Sequence, residues 1–536
     1  MDNQSDLGRD LGPAKAIYDR LEDRCLMRDQ AGASEAYYDL IRAGRPLAEI
    51  VAEGVRIHAP FTHVPYHERI DDGYPNFVNN DHCLLSARAT INLNKMVPEK
   101  FAMLPMAQTI WYIPTGLDIW NQKINKAPGH YTRHRGNLGE VTAPPAPVVY
   151  WEDQEATKLE GPLKERLNHW MTQVHRGNVV DAYKVFLGLM ENTAERKSVL
   201  AEMCFAGLMD VQDRILHNRS YTTGHKAYRA RSTVEIGNLL GWENAHNVVY
   251  AGALDIAVGP RWYSTYELAC NFVKMNIEGE SLHAVPYGGV SEAELAVLRQ
   301  TGPVTAEEAA HLLETVLRKD EMTTLEEVTK LLKAGKNPRR ILDALQLAIG
   351  QVVLETHVPE NFNMPHHCYE YHNTLAWFWD NFDHSRRLRL LYVAASFLSR
   401  VASNMVGLND VHPEAYKTPA VGGLSQAQIL DRVDTAICSL NGPDSVGWTQ
   451  AYCDCFADRG PLVARIALAA AKLGNDPHNQ EIAQCMLMDY GTNQLPGRDR
   501  LLLAAAYHTA MHRKYGDPLE PAKRFAKAFD MPELVA

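Results

Sequence analysis

The chain has 536 residues, 46% hydrophobic and 22% charged, with a net charge of −11 at pH 7. That balance excludes a nucleic-acid binder, which needs a basic face, and no lysine/arginine cluster interleaved with aromatics occurs. It also excludes a membrane-spanning protein, because the longest apolar runs are broken by Arg400 and Arg465 before reaching the roughly 18–20 residues that cross a bilayer.

The N-terminus is polar and acidic rather than signal-like. Nine cysteines lack paired spacing, and Cys453-x-Cys455 has no second half of a zinc or redox motif. A reduced, cytoplasmic protein is the expectation. Helical periodicity dominates, and alternating β-branched runs are nearly absent. The fold expected is all-α: one large multi-helix body over residues 1–536. The alternative division is an N-terminal subregion, 1–155, and a main helical body, 156–536.

In chain order, His82 comes first, opening an apolar segment that continues through Leu85, Ala89 and Ile91. Residues 125–155 follow, rich in Gly and Pro, with Pro144, Pro145 and Pro147 close together. A stretch of this kind inside a compact protein reads as a long loop covering one face. From Leu200, the positions Cys204, Leu208, Val211 and Ile215 continue a helical stripe. His225 opens a helix after a Thr-Thr-Gly turn, and His246 lies about one turn into the next. Capping boxes are expected at Ser291/Glu294, Thr305/Glu308, Thr323/Glu326 and Ser425/Gln428, with Gly335 closing the Thr323 helix. His367 precedes Leu375, Trp377 and Phe378. The segment Leu388–Val401 is apolar on most of its circumference and reads as a buried helix.

Catalytic and nucleotide motifs are missing: there is no G-x-S-x-G elbow, no phosphate-cradling P-loop and no dinucleotide fingerprint. The 22 histidines are the unusual resource. Chance alone gives about 0.9 His-x-x-x-His pairs, and the chain has three. His63/His67 spans a proline, His130/His134 lies in the Gly/Pro loop, and His508/His512 is on a helix, but His512 runs into Arg513 and Lys514, which points it toward solvent. Glu-x-x-His pairs like those of di-iron proteins occur at Glu243/His246, Glu280/His283 and Glu308/His311. About 2.7 acid-x-x-His pairs arise by accident, and these glutamates read as cap or turn residues.

What remains is a set of histidines near helix starts and facing apolar surfaces: His82, His225 and His367, with His246 as a fourth. A buried imidazole needs partners for its nitrogens. A metal between helices meets that need at once, with Asn80, Asn238, Asn247 and Asn373 available to orient the rings. Three separately satisfied core histidines are the alternative, as in a non-catalytic helical scaffold. An axial histidine for non-covalent haem stays open as well.

Asn80-Asp81-His82, Gly224-His225-Lys226 and His367 followed six residues later by Asn373-Thr374-Leu375 resemble the questin oxidase-like proteins. The resemblance implies an all-helical oxidoreductase that opens rings of anthraquinone-type polyketides with O₂. It also implies a mononuclear, histidine-ligated non-haem iron, accompanied in at least one member by a carboxylated lysine. Matched residue by residue, it implies His82, His225 and His367 as ligands, His246 more loosely, and assigns no lysine, although Lys226 adjoins His225. The partners expected are O₂ and a small, aromatic organic substrate. Lys226, Tyr228, Glu370, Tyr371 and His372 become candidates for proton handling or substrate contact, and Trp377, Phe378 and Trp379 for the walls of a flat pocket.

Overall fold

The computed structural model describes residues 11–58, 82–124, 155–176, 178–211, 224–245, 249, 252–253, 256, 264–279, 289–405, 416–474, 476–514 and 516–535. Among them are 22 helices and no strand, so the all-α expectation is met. One continuous apolar cluster runs from Leu11 to Leu534. The Gly/Pro stretch and His246 lie outside the described residues, apart from Glu155 at the end of the stretch.

Local signals explain many helix ends. Thr305 and Ser425 form reciprocal capping boxes with Glu308 and Gln428. Ser291 accepts from the Glu294 backbone N–H, but the Glu294 carboxylate turns away to Arg389 at 3.0 Å. At the next helix the expectation fails by three residues. Asp320, not Thr323, caps Glu321–Lys333, because its carboxylate is the stronger acceptor for the exposed first-turn N–H groups. Gly335 does follow that helix, at φ +82. The expected Leu200 stripe stops early: its helix is Arg196–Met209, buried from Val199 to Met209 on every side. Leu388–Ser399 is buried throughout, within the helix Arg387–Met405.

Four helices form the part that matters for function: Cys83–Leu93, His225–Leu240, Asn363–Asn381 and His478–Thr492. Each packs on two of the others, closing a ring in the order given. Their starting turns meet at one end, where His82, His225, His367 and His478 stand. Deeper rungs of polar side chains link the same helices. Arg88 donates to Glu370 at 2.6 Å. Asn92 donates to Glu235 at 3.0 Å and Gln484 at 3.1 Å. Arg231 donates to Asn373, and Asn373 to Asp489 at 2.8 Å. The four helices are therefore parallel, joined by crossovers of about a hundred residues or more. Buried on nearly all sides, they have no need of an amphipathic stripe.

Candidate metal centre

Each ring of the histidine layer is placed by a helix start. His82 is the N-cap of its helix, and its backbone N–H donates to the Tyr112 hydroxyl at 3.1 Å. His225 is the first residue of its helix, after Gly224 at φ +95. A Cβ on Gly224 would lie 2.2 Å from the Tyr228 hydroxyl, which itself donates to the His367 carbonyl at 2.5 Å. Glycine thus serves here both for its left-handed backbone and for the space it leaves. His366 and His367 lie in the first turns of Asn363–Asn381, beside Pro365. His478 opens its helix, and Asp476 accepts from its backbone N–H at 3.0 Å.

The hydrogen bonds decide the tautomers. His82 Nδ1–H donates to Glu481 Oε2 at 2.8 Å, His478 Nδ1–H to Asp476 Oδ1 at 2.7 Å, and His367 Nδ1–H to the Asn363 carbonyl at 2.5 Å. A carboxylate or carbonyl oxygen only accepts, so each Nδ1 carries a proton and each Nε2 of the neutral ring a lone pair. The three residues offer ligand atoms within 4.8 Å of one another, close to the span of about 4 Å across a sphere with metal–nitrogen bonds of 2.0–2.1 Å. His225 Nε2 lies 3.4 Å from His82 Nε2. That is long for a hydrogen bond and matches the edge of about 3.3–3.4 Å of a tetrahedral site with those bond lengths. Converging imidazole lone pairs repel, and a cation between them removes the repulsion. The donor set fits a metal.

Burial lowers the His82 ring to about 3, helped by the positive charge of His478 and Arg229. For His478 burial also acts downward, but the Asp476 carboxylate outweighs it and leaves the ring raised. Asp476 itself is pushed up by burial yet held well below the usual carboxylate range by His478 and His512. Glu370 is driven by burial up to about 7 despite Arg88, and its Oε2 has no hydrogen-bond partner. An all-imidazole ligand set carries no charge, so Glu481 and Asp476, one bond behind the rings, supply the anionic balance.

The layer extends further than the sequence suggests. His366 stacks on His478 at 4.4 Å between centroids, and His512 lies 5.2 Å from His366. His508 is 5.0 Å from His512. His512, expected near solvent, is thus buried at 6% exposed, and so is His508 at 0%. The helix Asp499–Met511 ends at His512, and Lys514 folds back to donate to the Thr509 and His512 carbonyls, so Lys514 caps the helix instead of carrying His512 outward.

Other expected residues fall elsewhere. Lys226 pairs with Asp210 at 2.9 Å, both buried. Tyr371 donates to the Leu208 carbonyl at 2.8 Å, and His372 Nδ1–H to the Cys368 carbonyl at 2.8 Å. Trp377 packs on Phe382 and under Arg231, while Trp379 sits under Arg387. Ten or more residues beyond His367, these aromatics are about 15 Å along the helix from the layer, and core packing accounts for them. The orienting asparagines are replaced by stronger acceptors: Asn238 holds Trp242, Asn373 holds Asp489, and Asn80 and Asn247 lie outside the described residues.

Sequence reasoning missed His366, His478, Asp476 and Glu481. The signals were present: the His366-His367 doublet, and Asp476-Pro-His478 followed by Glu481 across the start of a helix. Among the described residues no helix is long and apolar enough to cross a membrane. Comparison of the chain with family models, curated proteins and solved structures gave no match.

Proposed function

We propose that this protein is a metal-dependent oxidoreductase of the non-haem iron type, acting with O₂ on a small phenolic or enolic substrate. The observation that carries the reading is the convergence of ligand nitrogens from His82, His367 and His478, with His225 in contact and the Nδ1 atoms of the first three held by acceptors. Imidazole donors suit iron, copper, zinc and nickel; the family resemblance favours iron and redox chemistry. Neighbouring rings 4.3–5.2 Å apart leave no slot for a haem plane among them, which favours a bare ion.

Bound there, an iron ion would supply Lewis acidity and one-electron chemistry toward O₂. The chain's own residues do the rest. Glu481, Asp476 and the Asn363 carbonyl fix ring orientation. The neutral ligand set and four helix starts at one point leave positive potential that favours an anionic substrate oxygen, hence a phenolate or enolate. Glu370, held by Arg88 and titrating near neutrality, is placed to take up the substrate proton. Tyr228 is tied to the His367 carbonyl and positions that ring. O₂ and the organic substrate are the partners this reading requires.

The test is elemental analysis of untagged protein produced with ample iron. Near-stoichiometric iron, lost in His82→Gln and His367→Gln, is expected, with O₂ uptake stimulated by hydroxylated aromatics. Trace amounts of every transition metal would sink the reading and leave a helical scaffold with structural histidines.

A further inference from the structure

We propose a second metal position, formed by His366, His478 and His512 beside the first, so that the layer takes two ions. The proposal rests on the metal reading above for the first ion and adds the second from separate observations.

His366, His478 and His512 offer ligand atoms within 4.8 Å of one another. Neither nitrogen of His366 has a hydrogen-bond partner, nor does either nitrogen of His508; His512 Nδ1 and His478 Nε2 have none. His366 is 3% exposed. Unpaired imidazole nitrogens at this density are costly to bury. Asp476 stands at the same place, hydrogen-bonded to His478, and supplies negative charge.

One ligand belongs to both sets. His478 Nδ1 is committed to Asp476, so its Nε2 has a single lone pair for a single ion. With one metal bound, His478 joins His82, His225 and His367. With two, it serves His366 and His512, and His225 remains to the first ion beside His82, 3.4 Å away. Binding is therefore stepwise, and the second step is the weaker because it withdraws a ligand from the first.

Titration of metal-free full-length protein with Co(II), followed by visible absorption and checked by elemental analysis, tests this. Two equivalents are expected, the second at least tenfold weaker. His366→Gln and His512→Gln should each abolish the second step and keep the first; circular dichroism and thermal melting check folding. One equivalent in the wild type, unaltered in both variants, overturns the second position and leaves the first. Failure to bind any Co(II) overturns both. Should the variants misfold, anomalous scattering from Co(II)-soaked wild-type crystals decides by showing two peaks or one.

Discussion

His82 and Glu481 are 399 residues apart in the chain and 2.8 Å apart in the fold. The carboxylate fixes the proton on His82 Nδ1 and raises the basicity of its Nε2. Glu481→Gln keeps an acceptor but removes the charge. Metal affinity should fall about 10–100-fold, read by competition with a chelator of known affinity. Unchanged affinity would mean that Glu481 is only a packing partner.

Arg88 and Glu370 form a fully buried ion pair beneath the histidine layer. Removing one partner strands the other charge, so Arg88→Met should destabilise the protein by about 3–5 kcal/mol, measured by denaturant unfolding. The double variant Arg88→Met/Glu370→Leu should recover much of that loss, because no unpaired charge remains. A double variant no better than the single one argues against the pair as the cause.

Asp489 gives a pH dependence of predictable sign. Burial raises its carboxyl from 3.8 to about 7, although Asn373 and Arg339 oppose the shift. The folded state therefore holds this proton more tightly than the unfolded chain. Its contribution is fully present below about pH 4 and is lost as pH rises toward 7. Asp489→Asn removes the titration, so stability relative to wild type should move in favour of the variant between pH 5 and pH 8. A difference independent of pH over that range would refute the assignment.

Two glycines separate backbone strain from contact. Gly44 has φ +68 with open space around the missing Cβ, whereas Gly224 has φ +95 and the Tyr228 hydroxyl against it. Gly44→Ala should lower stability by about 1 kcal/mol through the left-handed backbone alone. Gly224→Ala should cost more and also displace the Tyr228 bond to His367, weakening metal binding. Equal losses of stability at the two sites would show that the contact contributes nothing.

The sequence by itself determined the helices and the places of His82, His225 and His367 near helix starts. Those features depend on neighbours a few residues away: the Thr305/Glu308 and Ser425/Gln428 boxes, the turn at Gly224, the apolar run from Leu388. Where two local signals competed, as Asp320 and Thr323 did, the stronger acceptor prevailed. Tertiary structure alone decided which imidazoles meet and what orients them. His512 looked solvent-facing because Arg513 and Lys514 follow, but Lys514 folds back on the helix end and His512 is buried. Glu481 and Asp476 replaced the nearby asparagines because parallel helices joined by long crossovers bring equal depths together, and no local pattern encodes that pairing. The histidine layer is a through-space object a few ångströms across; its rings come from five helices or their ends, and only the packing of those helices brings them together.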